Sequence, residues 1–455
     1  MKEVKVLAAT GLLGTGFLDD SFQRAIQLNP DVIGCDAGST DPGPYYLGAG
    51  IPMSSREAVK RDLRIMISEG IKNGIPVLVG SAGTAGGKPH VDWTVDIVQE
   101  IARDENLHFK LAVIQSEIEK ETLIEYMNQG RVKELYPAPE MTEEKIRSLE
   151  RIVGLIGPEP YIEALQEGAQ VVIAGRSSDI SIYTAVPIMN GLGQGPAWHA
   201  AKVLECGTGS VEQRLYPDCM MAWITEDSFL VEPPNPQMRC TPVSVVSHTL
   251  YENSNPFKLV EPSGVLDTTM STYYEEGDRG VRVKNSQFHH SDTYTIRIEG
   301  VEKAGYRQIA VGGIRDPIVL KQLDSFLDEV KESIQKKVKV SLQIEPSDYQ
   351  LHFRVYGKSG SMGALEPIRH LEGHEAGVVM EVLAQTEEQA HSIMAIVWHT
   401  ALHHPVKEWS GLASQIAFPY SPPNISLGVF YRFSLNHVIE LKDPLELVSI
   451  SYLMM

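Results

Sequence analysis

The first 190 residues alternate between short apolar runs and amphipathic stretches, and this alternation constrains the fold more than any other feature of the sequence. Small or polar residues follow each apolar run, and then comes a segment whose apolar side chains recur at helical spacing. Strands that are apolar throughout are typical of parallel sheets covered on both faces. The pattern predicts strands over residues 4–9, 32–35, 77–79, 110–114, 152–155 and 171–174, and helices over 56–73, 92–104, 117–129, 143–150 and about 158–168. The fold class predicted for residues 1–190 is therefore α/β, with a largely parallel, Rossmann-like sheet.

The rest of the chain shows a different pattern. Residues 191–316 are rich in turn formers and alternating segments, which predict a mixed sheet with long loops. Residues 317–455 predict a helix over 318–336, strands over 339–344, 351–356 and 377–383, and a helix over 387–403. That order suits a smaller α+β domain at the C-terminus. The chain has 455 residues, more than one hydrophobic core usually supports, so we expect two or three domains with boundaries near 190 and 316.

Charge and composition exclude two kinds of partner. The chain has 59 acidic and 40 basic residues, a net charge of −19, which repels the phosphate backbone of nucleic acids. No apolar run approaches the roughly 20 residues that a membrane-spanning helix needs, so no membrane partner is expected. The N-terminal residues enter a strand-like run without the apolar region of a secretory signal, which predicts a cytoplasmic protein.

Four cysteines are spread widely along the chain. They are Cys35, Cys206, Cys219 and Cys240, and no two of them form a CxxC pair. This spacing predicts neither a disulfide framework nor a thiolate zinc site. We expect reduced and mostly buried thiols.

A polar, glycine-rich loop follows the apolar run at 32–35. It spans residues 36–48 and contains the carboxylates Asp36 and Asp41 and the hydroxyls Ser39 and Thr40. Ligands of open α/β sheets bind beyond the carboxyl ends of the strands, where small residues let the backbone approach them. We predict that Asp36 and Asp41 act as general base or hold a hard divalent ion such as Mg²⁺, and that Ser39 and Thr40 hydrogen-bond the substrate. The sequence leaves open whether a metal is needed.

Three glycine-rich turns also follow predicted strands, at residues 11–16, 80–87 and 175–179. Backbone N–H groups in such turns can hold an anion, and Ser81 and Thr84 in the second turn are predicted to bind the substrate. Neither GxGxxG nor GxxxxGK[ST] occurs in them, so no nicotinamide cofactor and no ATP are expected. Tight connections between strand and helix explain some of these glycines equally well.

The turn at 175–179 combines a cation, hydroxyls and a carboxylate. Arg176 could clamp a substrate carboxylate through two parallel hydrogen bonds, with Ser177 beside it, and Asp179 could serve as acid or base. The alternative is an intramolecular pair between Arg176 and Asp179 at a helix N-cap. Further along, Glu205 is a candidate acid–base group, and the adjacent Cys206 would be a nucleophile only beside a histidine or with a lowered pKa.

The loop at 36–48, the turns at 80–87 and 175–179, and Leu204-Glu205-Cys206-Gly207 together resemble the acyclic terpene utilisation protein A family, over roughly residues 3–320. The resemblance implies a cytoplasmic protein from catabolic pathways for acyclic terpenoids and small carboxylates, with a lyase role on an acyl-CoA or a hydroxy acid. One departure lies in the second turn, where many relatives have an Asn before Ala-Gly-Gly and this chain has Thr84.

The leading hypothesis from the sequence is a lyase or hydro-lyase that acts on a small carboxylate or acyl-CoA, and thus on a small anionic metabolite. Its predicted acid–base groups are Asp36, Asp41, Asp179 and Glu205, and its predicted substrate-binding residues are Ser39, Thr40, Ser81, Thr84, Arg176 and Ser177. The alternative is a non-catalytic subunit that binds a metabolite or a partner within a catabolic complex. An enzyme requires these side chains to converge, whereas a scaffold does not. A homo-oligomer is expected because most soluble oligomers are assembled from one kind of chain.

Overall fold

The structure is a computed structural model that describes residues 2–408 and 415–455. The helices are α1 (Asp19–Gln27), α2 (Pro44–Ala49), α3 (Arg56–Asn73), α4 (Lys88–Asp104), α5 (Lys120–Asn128), α6 (Glu143–Ser148), α7 (Glu159–Gln166), α8 (Ser181–Met189), α9 (Gln194–Leu204), α10 (Pro242–Thr249), α11 (Pro317–Lys321), α12 (Leu323–Leu342) and α13 (Glu387–His403). Short 3₁₀ helices lie at Gly207–Ser210 and Gly363–Leu365.

Strands make up a similar share of the chain. They are β1 (Val4–Ala8), β2 (Val32–Asp36), β3 (Val77–Gly80), β4 (Lys110–Gln115), β5 (Val132–Glu134), β6 (Leu149–Gly154), β7 (Val171–Ala174), β8 (Met220–Ile224), β9 (Ser228–Glu232), β10 (Lys258–Glu261), β11 (Gly264–Asp267), β12 (Thr272–Glu276), β13 (Gly280–Lys284), β14 (Gln287–His290), β15 (Tyr294–Ile314), β16 (Tyr349–Tyr356), β17 (Ala376–Ala384), β18 (Asn424–Phe433), β19 (His437–Leu441) and β20 (Ser449–Met454).

The described residues fall into two compact units. The first contains Met1–Glu302 and Phe433–Met455, and the second contains Lys303–Arg432. The sequence predicted three domains with boundaries near residues 190 and 316. Compact units do not show which segments fold independently, so this division stays a prediction.

The predicted α/β fold class is confirmed in the first unit. Its described residues form a ten-stranded sheet in the order β12-β13-β9-β8-β1-β2-β3-β7-β4-β20. The five central strands from β1 to β4 pair in parallel, whereas the strands on either side of them pair antiparallel. The antiparallel strands β8, β9, β12 and β13 give this sheet the mixed character predicted for residues 191–316, and a separate three-stranded sheet, β10-β11-β14, is antiparallel throughout.

One predicted strand of the parallel sheet belongs elsewhere. The apolar run at 152–155 does form strand β6, but β6 pairs antiparallel with β15, with Ile152 opposite Gly300. A short apolar run fits either kind of sheet, because its periodicity says nothing about which strand will lie beside it.

Both faces of the parallel strands are buried, as the apolar runs predict. On β2, Val32 packs in a core cluster with Tyr183 of α8 and Trp198 of α9. The next residue, Ile33, points to the other face and packs in a cluster with Leu63 of α3. Burial of each such side chain contributes about 1.5–3 kcal/mol. Because the neighbouring strands β2, β3 and β7 are parallel, the loops that follow them emerge together at one end of the sheet.

The second unit is a small α+β unit. β17 pairs antiparallel with β16 and with the last part of β15, and the helices α12 and α13 contribute Val330 and Val397 to the same buried cluster as Val378 of β17. The strands predicted at 351–356 and 377–383 and the helix predicted at 387–403 are confirmed.

The strand predicted at 339–344 is wrong, because α12 continues through it to Leu342. The alternating Val338 and Val340 imitate a strand over a few residues, but Val338 extends the helical spacing of apolar side chains that begins at Leu323 and is buried with them. Gln343 caps the C-terminus of the helix and adopts a left-handed conformation with φ of +58°. The packing of a long amphipathic helix face therefore outweighs a strand-like alternation over a few residues.

Among the described residues, none of the helices has both the length and the apolar character that a bilayer crossing requires.

Candidate active site at the ends of the parallel strands

The sheet brings three of the predicted loops together. Asp36 is the last residue of β2 and lies opposite Gly80, the last residue of β3. The backbone N–H of Ala37 donates to the Gly80 carbonyl at 3.0 Å, and the N–H of Ser81 donates to the Gly175 carbonyl at 3.0 Å. The residues after β2, β3 and β7 are therefore held side by side by backbone hydrogen bonds.

Gly86 allows two of these loops to approach closely. Its φ is +65°, and a Cβ added there would lie 2.1 Å from the backbone nitrogen of Arg176. That nitrogen donates to the Gly86 carbonyl at 3.1 Å. Only glycine combines this backbone conformation with the absence of a side chain, so Gly86 is required to seat Arg176.

The guanidinium of Arg176 is buried and organises the site. Its Nη1 donates to Asp179 Oδ1 at 2.9 Å, to Ser81 Oγ at 3.1 Å and to the Ser177 carbonyl at 2.8 Å. Its Nε donates to Glu299 Oε2 at 3.1 Å. The intramolecular pair with Asp179 is thus present, although α8 begins only at Ser181 with Ile180 as its N-cap. A substrate carboxylate could take both Nε and Nη1 only by displacing these partners.

Asp36 is buried near this guanidinium, and one of its carboxylate oxygens lacks a hydrogen-bond partner among the described residues. Its side chain is 6% exposed, and that oxygen is Oδ1. Burial raises the pKa of Asp36 well above its usual range, the charge of Asp179 raises it further, and Arg176 opposes both effects. Burial also raises the pKa of Asp179, again against Arg176, although the Asp179 side chain is 37% exposed and solvent screens the shift. The two carboxyl groups titrate as interacting partners.

Glu205 reaches the same electrostatic environment from the end of α9. It forms an ion pair with Lys202, and the two side chains are 10% and 5% exposed. Burial raises the pKa of Glu205 to about 7, Lys202 lowers it, and Asp179 raises it. Glu205 also adds to the charge that acts on Asp36.

Glu261 of β10 is a further buried carboxyl group, which sequence reasoning missed. Ser178 Oγ donates to Glu261 Oε2 at 2.6 Å. Burial raises the pKa of Glu261 to about 8, the hydrogen bond from Ser178 lowers it, and the charges of Glu205 and Asp179 raise it. Glu261 therefore stays protonated near neutral pH.

The site is rich in carboxyl groups relative to its cations. The interacting carboxyl groups of the described residues are Asp36, Asp179, Glu205, Glu261 and Glu299, and the cations that touch them are Arg176 and Lys202. Five buried or half-buried carboxylates cannot all ionise beside two cations, because like charges at low dielectric repel strongly. The cluster must hold protons or attract a cation.

The remaining predicted residues make local bonds. Ser39 Oγ donates to Asp41 Oδ2 at 2.5 Å in an exposed turn, so Asp41 influences the site through its charge on Asp179. Thr40 is buried and its carbonyl accepts from the backbone N–H of Gly43 at 2.9 Å.

The hydroxyls of two other predicted residues are also engaged. Thr84 Oγ1 accepts from the N–H of Met53 at 3.2 Å, and Ser177 Oγ bonds Tyr161 Oη at 2.7 Å. The substrate-binding roles of Ser39, Thr40, Thr84 and Ser177 stay predictions.

Cys206 does lie beside a histidine, as a nucleophile would require. Cys206 and His248 line a cleft of about 950 Å³. Burial raises the pKa of the Cys206 thiol to about 12, and the charge of Glu205 raises it further, so the thiol stays protonated near neutral pH. Of the two alternative conditions, the neighbouring histidine is present and the lowered pKa is not, so the nucleophilic role of Cys206 stays a hypothesis.

The missed residues gave little sequence signal. Glu299 and Glu261 lie on strands far from the glycine-rich turns, and only folding brings them near Arg176 and Ser178. Lys202 was missed as well, because no helix was predicted around it; the i,i+3 spacing that favours its ion pair with Glu205 depends on α9.

The fold and the site together define an α/β protein with a buried, acid-rich cluster at the ends of its parallel strands. The chain belongs to the acyclic terpene utilisation family, since the model of that family, described as Acyclic terpene utilisation family protein AtuA, matches residues 56–420. The family predicted from the motifs is confirmed, but the match begins after the loop at 36–48 and extends beyond residue 320. The family's name indicates a role in acyclic terpene catabolism. No curated protein and no solved structure matches this chain.

Proposed function

We propose that this protein is a lyase or hydro-lyase of small-molecule catabolism that acts on a small carboxylate or its acyl-CoA thioester. The observation that carries the proposal is the unpartnered Oδ1 of buried Asp36, which lies in a cluster of carboxyl groups with raised pKa. Buried titratable groups with strongly shifted pKa values are typical of acid–base sites.

Elimination of water beside a carbonyl group needs both a base and an acid. The base removes the proton on the carbon next to the carbonyl, the electron pair of that C–H bond forms the double bond, and the acid protonates the leaving hydroxyl as its C–O bond breaks. Asp36, once ionised, is the candidate base. Asp179 or protonated Glu261 is the candidate acid, because two interacting carboxyl groups readily share one proton between them.

The enolate-like charge that develops at the carbonyl oxygen also needs stabilisation. Arg176, whose charge acts on Asp36, and Ser81, which accepts a hydrogen bond from Arg176, are the candidate hydrogen-bond donors to that oxygen. Arg176 also holds Asp179 and Glu299 in place, so we assign it a positioning role in addition to its charge.

The acid-rich cluster favours a substrate whose reacting end carries no negative charge. A free carboxylate at the reacting end would be repelled by ionised Asp36 and Asp179, whereas the carbonyl of a thioester carries no charge. We therefore expect the acyl-CoA form of a given acid to be turned over faster than the free acid.

A paired activity screen tests the proposal. Short-chain and acyclic terpenoid hydroxy acids, and their CoA thioesters, are incubated with the protein, and formation or hydration of the double bond is followed by ultraviolet absorbance. Asp36→Asn should lower turnover about 10²–10⁴-fold, the usual contribution of a general acid or base. Asp92→Asn, at an exposed α4 carboxylate paired with Lys88, is the matched control and should retain activity. Full turnover by Asp36→Asn would remove Asp36 from the mechanism, and tight binding without any turnover would favour a metabolite-binding subunit.

A further inference from the structure

We propose that Glu205, Cys206 and His248 bind a borderline-soft divalent metal ion such as Zn²⁺ at the edge of the cleft. One potential ligand atom from each of these residues lies within 4.8 Å of the other two. The inference shares Glu205 with the acid-rich cluster, but it can be tested separately from the lyase proposal because its test measures metal binding alone.

The local fold places the three side chains together. Glu205 and Cys206 directly follow α9, and His248 lies in the last turn of α10, so the ligands come from two helices. The 3₁₀ helix that follows Cys206 passes close to both ligands at Gly209. A Cβ added to Gly209 would lie 2.9 Å from Cys206 Cβ and 3.2 Å from His248 Cε1, so a larger residue would wedge the two ligands apart.

His248 supplies an observation that points to a ligand by itself. The side chain is 7% exposed, and its Nε2 is buried without a hydrogen-bond partner among the described residues. The backbone of Lys202 also interacts with the imidazole. Metal-binding histidines characteristically have one nitrogen held by a supporting group and the other directed at the ion.

The donor set selects the kind of ion. A thiolate, an imidazole and a carboxylate suit Zn²⁺ and related transition metals, whereas Mg²⁺ prefers oxygen ligands only. Zn–S and Zn–N bonds of about 2.3 Å and 2.0 Å hold tetrahedral ligand atoms about 3.5 Å apart. Side-chain movements of about 1 Å would therefore close the set around an ion.

Charges of both signs surround the ligands, since Lys202 and Arg214 act on His248, and one coordination position is accessible. The charges of Glu252 and Asp179 act on Glu205, and its pairing with Lys202 occupies Oε1 and leaves the second oxygen for an ion. Cys206 and His248 both line the cleft of about 950 Å³, which would supply a water or a substrate atom as fourth ligand. Three protein ligands with an open fourth position are typical of catalytic rather than structural zinc sites. On binding, the Cys206 thiol would lose its proton to solvent as the metal–sulfur bond forms.

The sequence predicted no thiolate zinc site because it has no CxxC pair, and it favoured a hard ion near Asp36 and Asp41. The cluster at Glu205, Cys206 and His248 contains one cysteine only, and its histidine comes from a distant helix. Spacing rules for zinc motifs do not detect such a set.

Titration of the full-length protein with metal alone tests the inference. Protein treated with a chelator and freed of it is titrated with Co²⁺, and binding is followed by the near-ultraviolet charge-transfer absorption that a Co²⁺–thiolate bond produces. We expect one Co²⁺ per chain, displacement of Co²⁺ by Zn²⁺, and no displacement by a large excess of Mg²⁺. Absence of the thiolate band in the natural protein would overturn the proposal, whatever the variants do.

Variants then identify the ligands. Cys206→Ser should abolish the charge-transfer band, and His248→Gln should weaken Co²⁺ binding by more than the roughly 10- to 100-fold that loss of a supporting group causes. Cys240→Ser, at a buried thiol outside the cluster, and His289→Gln, at an exposed histidine, are the matched controls and should bind as the natural protein does. A band that persists in Cys206→Ser would contradict the assignment.

A second measurement covers the case in which a variant misfolds. The natural protein is alkylated with iodoacetamide with and without Zn²⁺, at an alkaline pH and for a time at which Cys206 of the metal-free protein is fully modified, and the modified cysteines are mapped by mass spectrometry. Zn²⁺ should protect Cys206 selectively. Equal modification of Cys206 in both samples would overturn the proposal.

Discussion

Arg176 donates from its Nε to Oε2 of Glu299 at 3.1 Å, and both side chains are nearly buried, at 5% and 9% exposed. Arg176 follows the parallel strand β7, whereas Glu299 lies on the long antiparallel strand β15. The pair therefore joins the predicted site to a strand that no sequence motif connected with it. A buried cation of this kind is tolerated only while its carboxylate partners remain.

Removal of Glu299 should destabilise the protein strongly. Glu299→Ala leaves the Arg176 charge poorly compensated, and the expected loss is about 3–5 kcal/mol in the free energy of unfolding. Glu299→Gln should lose less, because its amide oxygen can still accept from Nε. Urea unfolding measures both variants. The control is Glu121→Ala, which removes an exposed partner of Arg147 and should change stability little. Equal losses for Glu299→Ala and Glu121→Ala would show that burial of the pair is unimportant.

Asp36→Asn should stabilise the protein increasingly as pH rises. The pKa of Asp36 is raised in the folded protein, so the stability it contributes is complete below its unfolded pKa and is lost as pH rises through the folded pKa. The asparagine side chain of the variant cannot ionise and so avoids that loss. We expect natural protein and variant to differ least in acid and most at neutral and alkaline pH, by thermal unfolding across a pH series. A constant difference at all pH values would show that Asp36 has an ordinary pKa.

Glu261→Gln tests a pKa near 8 in the same cluster. The charges that act on Glu261 include Glu205, Asp179 and Lys202. Between its unfolded pKa near 4.5 and the folded value of about 8, Glu261 is protonated when folded and ionised when unfolded. Its contribution to stability should thus fall by about 1.4 kcal/mol per pH unit across that window and stay constant above it.

The measurement for Glu261 is urea unfolding at a series of pH values. The stability of the natural protein relative to Glu261→Gln should decrease across the window and then level off. Ser178→Ala removes the hydrogen bond that lowers the pKa of Glu261, so in this variant the levelling should occur at higher pH. A difference without slope between about pH 5 and pH 8 would contradict the raised pKa of Glu261.

Gly86→Ala should disrupt the close backbone contact between Gly86 and Arg176, whereas Gly191→Ala should cause backbone strain alone. Both glycines have positive φ, +65° and +72°, but no heavy atom lies within 4 Å of a Cβ at Gly191, and the Arg176 nitrogen lies 2.1 Å from one at Gly86. The left-handed conformation costs a non-glycine residue about 1–2 kcal/mol. We expect about that loss for Gly191→Ala and a clearly larger one for Gly86→Ala in urea unfolding. Similar losses would mean that the Gly86 loop moves freely away from Arg176.

Local patterns predicted much of the fold. The strands at β1, β2, β3, β4 and β7 and the helix Arg56–Asn73 were predicted within a residue or two, because apolar runs and helical periodicity act over short distances. The errors, β6 and the end of α12, concern segments whose short pattern fits two environments. Their neighbours in space decided between these environments.

Part of the candidate site could be predicted for the same reason. Asp36, Ser81, Arg176 and Asp179 follow neighbouring parallel strands, and the geometry of a parallel sheet brings strand ends together. Glu299, Glu261 and His248 could not be predicted, because they come from an antiparallel strand, a separate small sheet and a helix, whose positions depend on the packing of the whole first unit.

The sequence by itself determined the family, the parallel α/β core and the loops that emerge at its strand ends, because each depends on local periodicity or on short motifs. Only the tertiary structure decided the chemistry available there. It surrounded Arg176 with carboxyl groups, raised the pKa of Asp36 through burial, and brought His248 to Cys206. Charge interactions and desolvation depend on distances in space, and residues far apart in sequence set those distances.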